Sequence, residues 1–352
     1  MSPRVLVVGV GGIGGILAAR LVRLGVDVTP VTGNEAIAGA LAAEGFRVVE
    51  LDGSRWSVPS PLAPRVALAA GDGPFDLCLL ATKATTMAGA LSATLPHLAP
   101  DAEIVCLQNG LPEEAAAAIV GGGRVVTGCV VGWGASMIDP AVYQRTSRGG
   151  LQIERAGRAA ELLGRVEETS VPESFAGVRW SKLAINCATS TLGAVGGERL
   201  GPLLRRRYVR RLVLEIWSEV AAVAAASGVR FAPVGGTLDV AKMALTERER
   251  RAPLGSPALA WKHSILVGVG MKYRRMRSSM LYALERGRTP EVDFLNGEIV
   301  RRGARHGVAT PVNARLVRAV HDIAAGRAQS SLDGLRAIFD EVSGAADASA
   351  AA

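Results

Sequence analysis

Up to about residue 120 the chain alternates two patterns. Strongly apolar runs, "RVLVVG", "VDVTPVT", "FDLCLLAT" and "AEIVCLQN", are each followed by an Ala-rich stretch: "GIGGILAARLVRLG", "NEAIAGALAAEG", "ATTMAGALSATL" and "PEEAAAAIV". Apolar runs predict strands covered on both faces, and intervening helices of about 10–15 residues predict parallel crossovers. The predicted fold class is therefore α/β, beginning with a doubly wound sheet of the Rossmann type.

From Arg124 the pattern changes. "RVVTGCVVGW", "AVYQRTS" and "GLQIER" follow one another without helices between them and predict an antiparallel extension at one side of the sheet. After "VPESF" (Val171 to Phe175) strand signals nearly vanish, and helical periodicity runs over Trp180–Thr191, Leu203–Ser227, Leu238–Glu249, Pro257–Arg286, Val292–His306 and Ala314–Ala325. The expected organisation is a dinucleotide-binding domain over 1–173, an all-helical substrate domain over 174–343 and a frayed tail over 344–352.

Composition narrows the function classes. The 352 residues are 49% hydrophobic and 20% charged, an ordinary globular balance. No apolar run reaches the roughly 18 residues that span a bilayer, and the N-terminus enters a strand pattern directly, so a cytoplasmic protein with no membrane partner is expected. The four cysteines, Cys78, Cys106, Cys129 and Cys187, stand far apart in apolar runs and read as buried thiols; no metal site is expected. The net charge of +8 arises partly from "RRRYVRR" (Arg205 to Arg211), "RERR" (Arg248 to Arg251) and "KYRRMR" (Lys272 to Arg277). With aromatics at 4% and no base-stacking motif, these clusters read as solvated helix faces that attract anions, and no nucleic-acid partner is expected.

Candidate chemistry begins at "VLVVGVGGIGG". Gly9-x-Gly11-x-x-Gly14, with Gly12 and Ile13 inside it, follows a strand and opens a helix. In that context the first glycine permits a tight turn, the second lets backbone approach a diphosphate, and the third lets helix pack on strand. At the end of the second strand pattern stand Thr32, Gly33 and Asn34, with no carboxylate to bond a ribose 2′-hydroxyl. Thr32 and Asn34 are candidate partners for a 2′-phosphate, which favours NADP over NAD.

Only five of the 40 basic residues are lysines. A desolvated lysine gives up a proton near neutral pH where an arginine does not, so each lysine in an apolar setting is a candidate acid. Lys83 follows "DLCLLAT" at the carboxyl edge of a predicted strand. Lys182 and Asn186, in "RWSKLAINC", are four apart and share a helix face, and Asn109 ends a strand in "CLQNG".

The ordered set "LLATKA", "QNG", "WSKLAINC" and "RSSMLYALERGRTPEVDFLNGEIVRRGARHGVATPVN" (Arg277 to Asn313), after the glycine motif, resembles the ketopantoate reductases (2-dehydropantoate 2-reductases) over most of the chain. The resemblance implies NADPH-dependent reduction of a branched 2-oxo acid, in pantothenate biosynthesis for the family's usual substrate. It makes Lys182 the proton donor, Glu291 an active-site glutamate, Asn109, Asn186 and Ser279 substrate-binding positions, and Lys83 and Asn109 cofactor-proximal. Four departures stand out. The family's usual arginine after the second strand is Gly33; a second asparagine four residues after the first is Ser190; a later substrate-contacting asparagine has no match in "GGERLG"; and about thirty extra residues precede Ser278. Ser190 is thus a candidate for substrate selectivity. A β-hydroxyacid or opine/imine dehydrogenase and a non-catalytic NADP-binding sensor are the alternatives, and a homodimer is left open as the assembly.

Overall fold

The computed structural model describes residues 3–60, 64–234, 238–250 and 255–350, with side chains described up to 343. Arg251, the end of the "RERR" cluster, and the last two residues of the expected tail lie outside the described residues. The chain divides into two compact units, Met1–Val178 with Val234–Gly236, and Arg179–Pro233 with Thr237–Ala352.

The first unit is built on a seven-stranded sheet. Strands β1 (Val5–Val8), β2 (Val28–Val31), β3 (Phe46–Val49), β4 (Arg55–Val58), β5 (Phe75–Leu80), β6 (Leu98–Cys106), β7 (Val125–Val131), β8 (Ala135–Asp139), β9 (Val142–Arg145), β10 (Leu151–Ile153) and β11 (Thr169–Ser170) occur with helices α1 (Gly12–Arg23), α2 (Glu35–Glu44), α3 (Ala84–Thr94), α4 (Pro112–Val120) and α5 (Arg158–Gly164). The main sheet has the order β11-β10-β7-β6-β5-β1-β2, and its five strands from β2 to β7 run parallel. Alternate residues feed two cores: Val5, Val7, Leu77 and Leu79 enter one with α1, whereas Leu6, Val8, Cys78 and Leu80 enter the other with α3. This is why the strands read as unbroken apolar runs. In α1, Ile16, Leu17 and Leu21 are wholly buried, each worth about 1.5–3 kcal/mol. All four cysteines are buried and none is disulfide-bonded.

The expected antiparallel extension divides into two parts. β7 continues the parallel sheet, β10 pairs antiparallel with it, and β11, parallel to β10, runs in that same reversed direction. β8 and β9 leave the main sheet and join β3 and β4 in a second sheet of order β4-β3-β9-β8. The cause is α1, which offers a glycine face to them. A Cβ on Gly12 would lie 2.6 Å from the Ala135 carbonyl oxygen, and one on Gly15 would overlap the Tyr143 ring. That close approach seals the second sheet over the helix, with Tyr143 and Phe46 fully buried beneath it.

The second unit contains most of α6 (Phe175–Gly196), together with α7 (Leu200–Arg205), α8 (Arg207–Ala226), α9 (Val240–Met243), α10 (Glu247–Arg250), α11 (Pro257–Lys272), α12 (Ser279–Glu285), α13 (Asn296–His306), α14 (Pro311–Ala324) and α15 (Leu332–Ala350). Four patterns that read as single helices are interrupted: Leu238–Glu249 divides into α9 and α10, Val292–His306 opens with a 3-10 turn before α13, and the other two break at Arg206 and Ser278. Arg206 is extended between α7 and α8, and Ser278 is extended before α12, which its hydroxyl caps by accepting from the Met280 and Leu281 N–H. The extra segment folds as α10 and α11. α11 lies on α7 through Gly270, where a Cβ would meet Leu204 Cβ at 2.9 Å, and Lys262 of α11 is buried against Glu249 of α10 at 2.7 Å. The backbone of α15 continues to Ala350, into the stretch expected to fray, as its alanine content favours. Among the described residues no helix is long and apolar enough to cross a membrane.

Candidate active site

In the first unit the glycine motif lies where the strand order reverses, between β1 and β5. Gly9 has φ +94°, and a Cβ there would stand 2.7 Å from the Thr82 nitrogen in the loop after β5. A side chain on Gly14 would collide with the Gly9 carbonyl oxygen and lie 2.8 Å from Ala81 Cβ. These two glycines are required by the fold itself. Gly11 differs: its φ is −72°, and a Cβ built on it meets nothing within 4 Å. It is also the N-cap of α1, with no side-chain acceptor and no acidic residue in the first turn. Open space therefore faces an uncapped helix start, with half-buried Gly12 and Ile13 next in line. These residues fit the diphosphate of a dinucleotide, which needs close backbone approach and N–H donors without a competing carboxylate.

The other first-unit candidates are distributed around the carboxyl ends of the parallel strands. Thr32 is buried, and its N–H donates to the Arg65 carbonyl at 2.9 Å. Gly33 and Asn34 are exposed; the Asn34 Oδ1 caps α2 by accepting from the Ile37 N–H at 3.1 Å, which leaves its amide NH2 as the outward donor. Lys83 is exposed at the N-cap of α3, and Asn109 is exposed in the turn after β6. The neighbouring Gln108 is buried and donates from Nε2 to the Leu80 carbonyl at 2.9 Å, holding that turn to the end of β5. Arg65 has no counterpart in the sequence reading. Its backbone bridges to Val31 and its N–H donates to the Pro30 carbonyl, so an arginine distant in sequence reaches the end of β2, its guanidinium 3.1 Å from Asp72.

In the second unit, α6 carries Lys182, Asn186 and Ser190 at four-residue intervals on one face. Lys182 is half-buried, and Asn186 is buried. Burial, and then the positive charge of Arg179 one turn earlier, holds the Lys182 ammonium below the ordinary lysine range. Glu291 is half-buried just before a short 3-10 turn, and Ser279 is exposed at the first position of α12. The residue docked onto α6 is instead Ser278. Its hydroxyl donates to the Ser190 carbonyl at 2.6 Å, and Gly193 makes room for it, a Cβ there lying 2.5 Å from Ser278 Cβ. Ser190 is thus fixed in place through its backbone, with its side chain left to vary.

A buried polar network beneath this face escaped sequence reasoning. Asn296, wholly buried, donates from Nδ2 to the Cys187 carbonyl at 3.1 Å and to Asn313 Oδ1 at 2.8 Å, and its Oδ1 accepts from the Thr191 hydroxyl. Asn313 donates from its backbone and side chain to Glu219 Oε2 at 2.9 and 2.6 Å, and the Val312 N–H reaches Oε1 at 2.8 Å. Glu219, on α8, therefore caps α14. Burial pushes its carboxyl up to about 7, against those donor bonds. The available signals were an acid inside the apolar pattern "LVLEIWSEVAAV" and asparagines in "FLNG" and "PVN".

Comparison with known proteins bears on both units. Residues 5–158 match the family model described as ketopantoate reductase PanE/ApbA, and residues 174–324 match the model of its C-terminal domain. A 2-dehydropantoate 2-reductase of Pyrococcus horikoshii is 25% identical over 88% of this chain and 94% of its own length. The crystal structure of a PanE/ApbA family ketopantoate reductase from Ralstonia eutropha JMP134 superposes with a TM-score of 0.77 at 25% identity, covering 92% of this chain and 99% of its own. A D-mandelate dehydrogenase solved with NADH and anilino(oxo)acetate shares the fold, with a TM-score of 0.76 at 20% identity over 92% of this chain and 98% of that one. With a dinucleotide-type glycine turn in one unit, a desolvated lysine in the other, and both family models matched in chain order, the chain belongs to the ketopantoate reductase family and is an oxidoreductase acting on the CH–OH group.

Proposed function

We propose that the protein reduces a branched 2-oxo acid, ketopantoate or a relative, to the 2-hydroxy acid with NADPH, Lys182 supplying the proton. The observation that carries this is the half-buried Lys182, its ammonium acidified by burial and by Arg179, in register with Asn186 and Ser190 on α6. The bound nicotinamide supplies hydride to the C2 carbonyl carbon. In the first unit the open N-terminus of α1 at Gly11 to Gly14 holds the diphosphate, with Lys83 and Asn109 at the neighbouring strand ends. In the second, the Lys182 ammonium polarises the carbonyl by hydrogen bonding to its oxygen and then donates a proton to the alkoxide formed there. A lysine closer to neutral in pKa transfers that proton more readily than an ordinary one. Glu291 orients the substrate hydroxyl or supports the charge on Lys182. Asn109, Asn186 and Ser279 supply uncharged hydrogen bonds to the carboxylate and hydroxyl, and Ser190, one turn beyond Asn186, shapes which 2-oxo acid is accepted.

The assignment of NADPH rests on the absence of a carboxylate at the end of β2, on the exposed Asn34 amide and on Arg65 beside Thr32. NADH is the second reading, favoured by exposed Gly33 where an arginine would meet the 2′-phosphate and by the Arg65–Asp72 pair. One experiment tests both: a panel of 2-oxo acids with NADPH and NADH in parallel, using wild type and Lys182→Ala. The expected result is oxidation of NADPH by a branched 2-oxo acid, with about 10²–10⁴-fold lower turnover in the variant and unchanged cofactor binding. Turnover equal to wild type in Lys182→Ala removes the lysine from the mechanism, and cofactor binding without oxidation across the panel indicates a sensor.

A further inference from the structure

The basic stretch Arg205 to Arg211 and the extra segment before Ser278 have no part in the reduction, yet they meet. α8 and the start of α11 flank an open groove of about 450 Å³ lined by Arg207, Arg210, Ser256, Ala260 and His263, with no carboxylate among its described lining residues. The nearby acid, Glu215, is already engaged by Arg211 at 2.8 Å and by Arg250 at 3.4 Å.

The donors are arranged rather than scattered. Arg210 is anchored: its Nη1 donates to the Leu204 and Arg205 carbonyls at 2.7 and 2.8 Å, and its Nε donates to His263 Nδ1 at 3.3 Å. That last bond makes Nδ1 the acceptor and so leaves the proton on Nε2 as a donor. Arg210 Nη2 and the whole Arg207 guanidinium make no hydrogen bond or ion pair among the described residues. Burial, and then the charges of Arg210, Arg207 and Arg211, push the His263 imidazole down to about 4, so the ring is neutral beside the arginines. The N-terminus of the 16-residue α11, capped by Ser256, adds its partial positive charge on the same side.

We propose that this groove is a binding site for a small phosphomonoester, separate in its residues from the reducing site. The free Arg207 fork, Arg210 Nη2 and an imidazole N–H match a doubly charged tetrahedral oxyanion better than a single carboxylate, because one planar fork bonds two phosphate oxygens and leaves donors for a third. The volume accommodates a phosphate together with a small organic group. The otherwise unneutralised arginines are the physical reason for the site: without an anion Arg207 and Arg210 repel one another and disfavour a charged His263, and a phosphate offsets that repulsion.

The test is calorimetric titration of the full-length protein with phenyl phosphate and, separately, inorganic phosphate. Wild type is compared with Arg207→Glu, with Ala260→Asp in the groove wall, and with Arg165→Glu, an exposed arginine of the first unit. Arg207 and Ala260 are both exposed, so neither change threatens folding, which circular dichroism checks. The expected result is saturable binding of phenyl phosphate to wild type and Arg165→Glu, weakened about tenfold or more in both groove variants, with inorganic phosphate binding more weakly at the same site. Absence of binding to wild type, equal affinity in wild type and Arg207→Glu, or an equal loss in Arg165→Glu overturns the proposal. The last outcome would mean that net charge alone attracts the anion.

Discussion

Glu219 offers the sharpest test of the energetics beneath the site. Its side chain is 5% exposed and accepts three N–H bonds from the first turn of α14. Two effects oppose one another: burial penalises the carboxylate, and the three donors favour it. Burial dominates, with the pKa raised from 4.5 to about 7. For an acid whose folded pKa lies above its unfolded value, the folded state holds the extra proton between those two values. The resulting stabilisation is complete below pH 4.5 and is lost as pH rises through 7. A shift from 4.5 to about 7 gives roughly 2–3 kcal/mol of lost stability between pH 5 and pH 8. The perturbation is Glu219→Gln, which cannot ionise. Its amide NH2 faces donors, which adds a pH-independent penalty of about 1–3 kcal/mol. Urea unfolding followed by helical circular dichroism at pH 5, 6, 7 and 8 measures both proteins, and the difference between them cancels every other titrating group. Wild type should lose about 2–3 kcal/mol relative to the variant from pH 5 to pH 8. A flat difference, or one in which wild type gains with pH, would refute the argument, because the three donors would then hold the carboxylate ionised throughout.

Other outcomes follow from the same geometry. Gly11→Ala has a permissive φ and open space, so its thermal midpoint should match wild type while NADPH affinity by fluorescence titration falls about tenfold or more; Gly15→Ala meets the Tyr143 ring and should lower the midpoint instead. With the Lys182 ammonium as the proposed donor and its pKa below the ordinary 10.5, kcat/KM should fall on the alkaline side with a midpoint below that value. A rate that climbs steadily past pH 10.5 would contradict the assignment. Asn296→Leu leaves the Thr191 hydroxyl, the Cys187 carbonyl and Asn313 Oδ1 without their partner, and should cost about 3 kcal/mol or more in chemical denaturation; a change under about 1 kcal/mol would mean that water replaces the amide.

Local periodicity was enough to reveal the parallel sheet, the glycine turn and the helical second half. A strand buried on both faces has no polar alternation, and a helix whose first turn lies against neighbouring backbone needs glycines there, so both leave marks within a dozen residues. Lys182 and Asn186 were legible for the same reason, since four-residue spacing on one helix is a local property. The second sheet was not legible. β3 and β9 are almost a hundred residues apart, and their pairing depends on the glycine face of α1 lying beneath Tyr143.

The same distinction separates what the chain's order dictates from what folding adds. Residue type and spacing alone settled that a βα series precedes a helical region and that a lysine sits in an apolar helix. Tertiary packing decided that the Lys182 ammonium is acidified, because desolvation depends on neighbours that spacing does not record. It also decided that Ser278 rather than Ser279 docks on α6, that Arg65 reaches the end of β2, and that Arg207, Arg210 and His263 line one groove. Each joins segments distant in the chain, and hydrogen bonds and charges act through space rather than along the sequence.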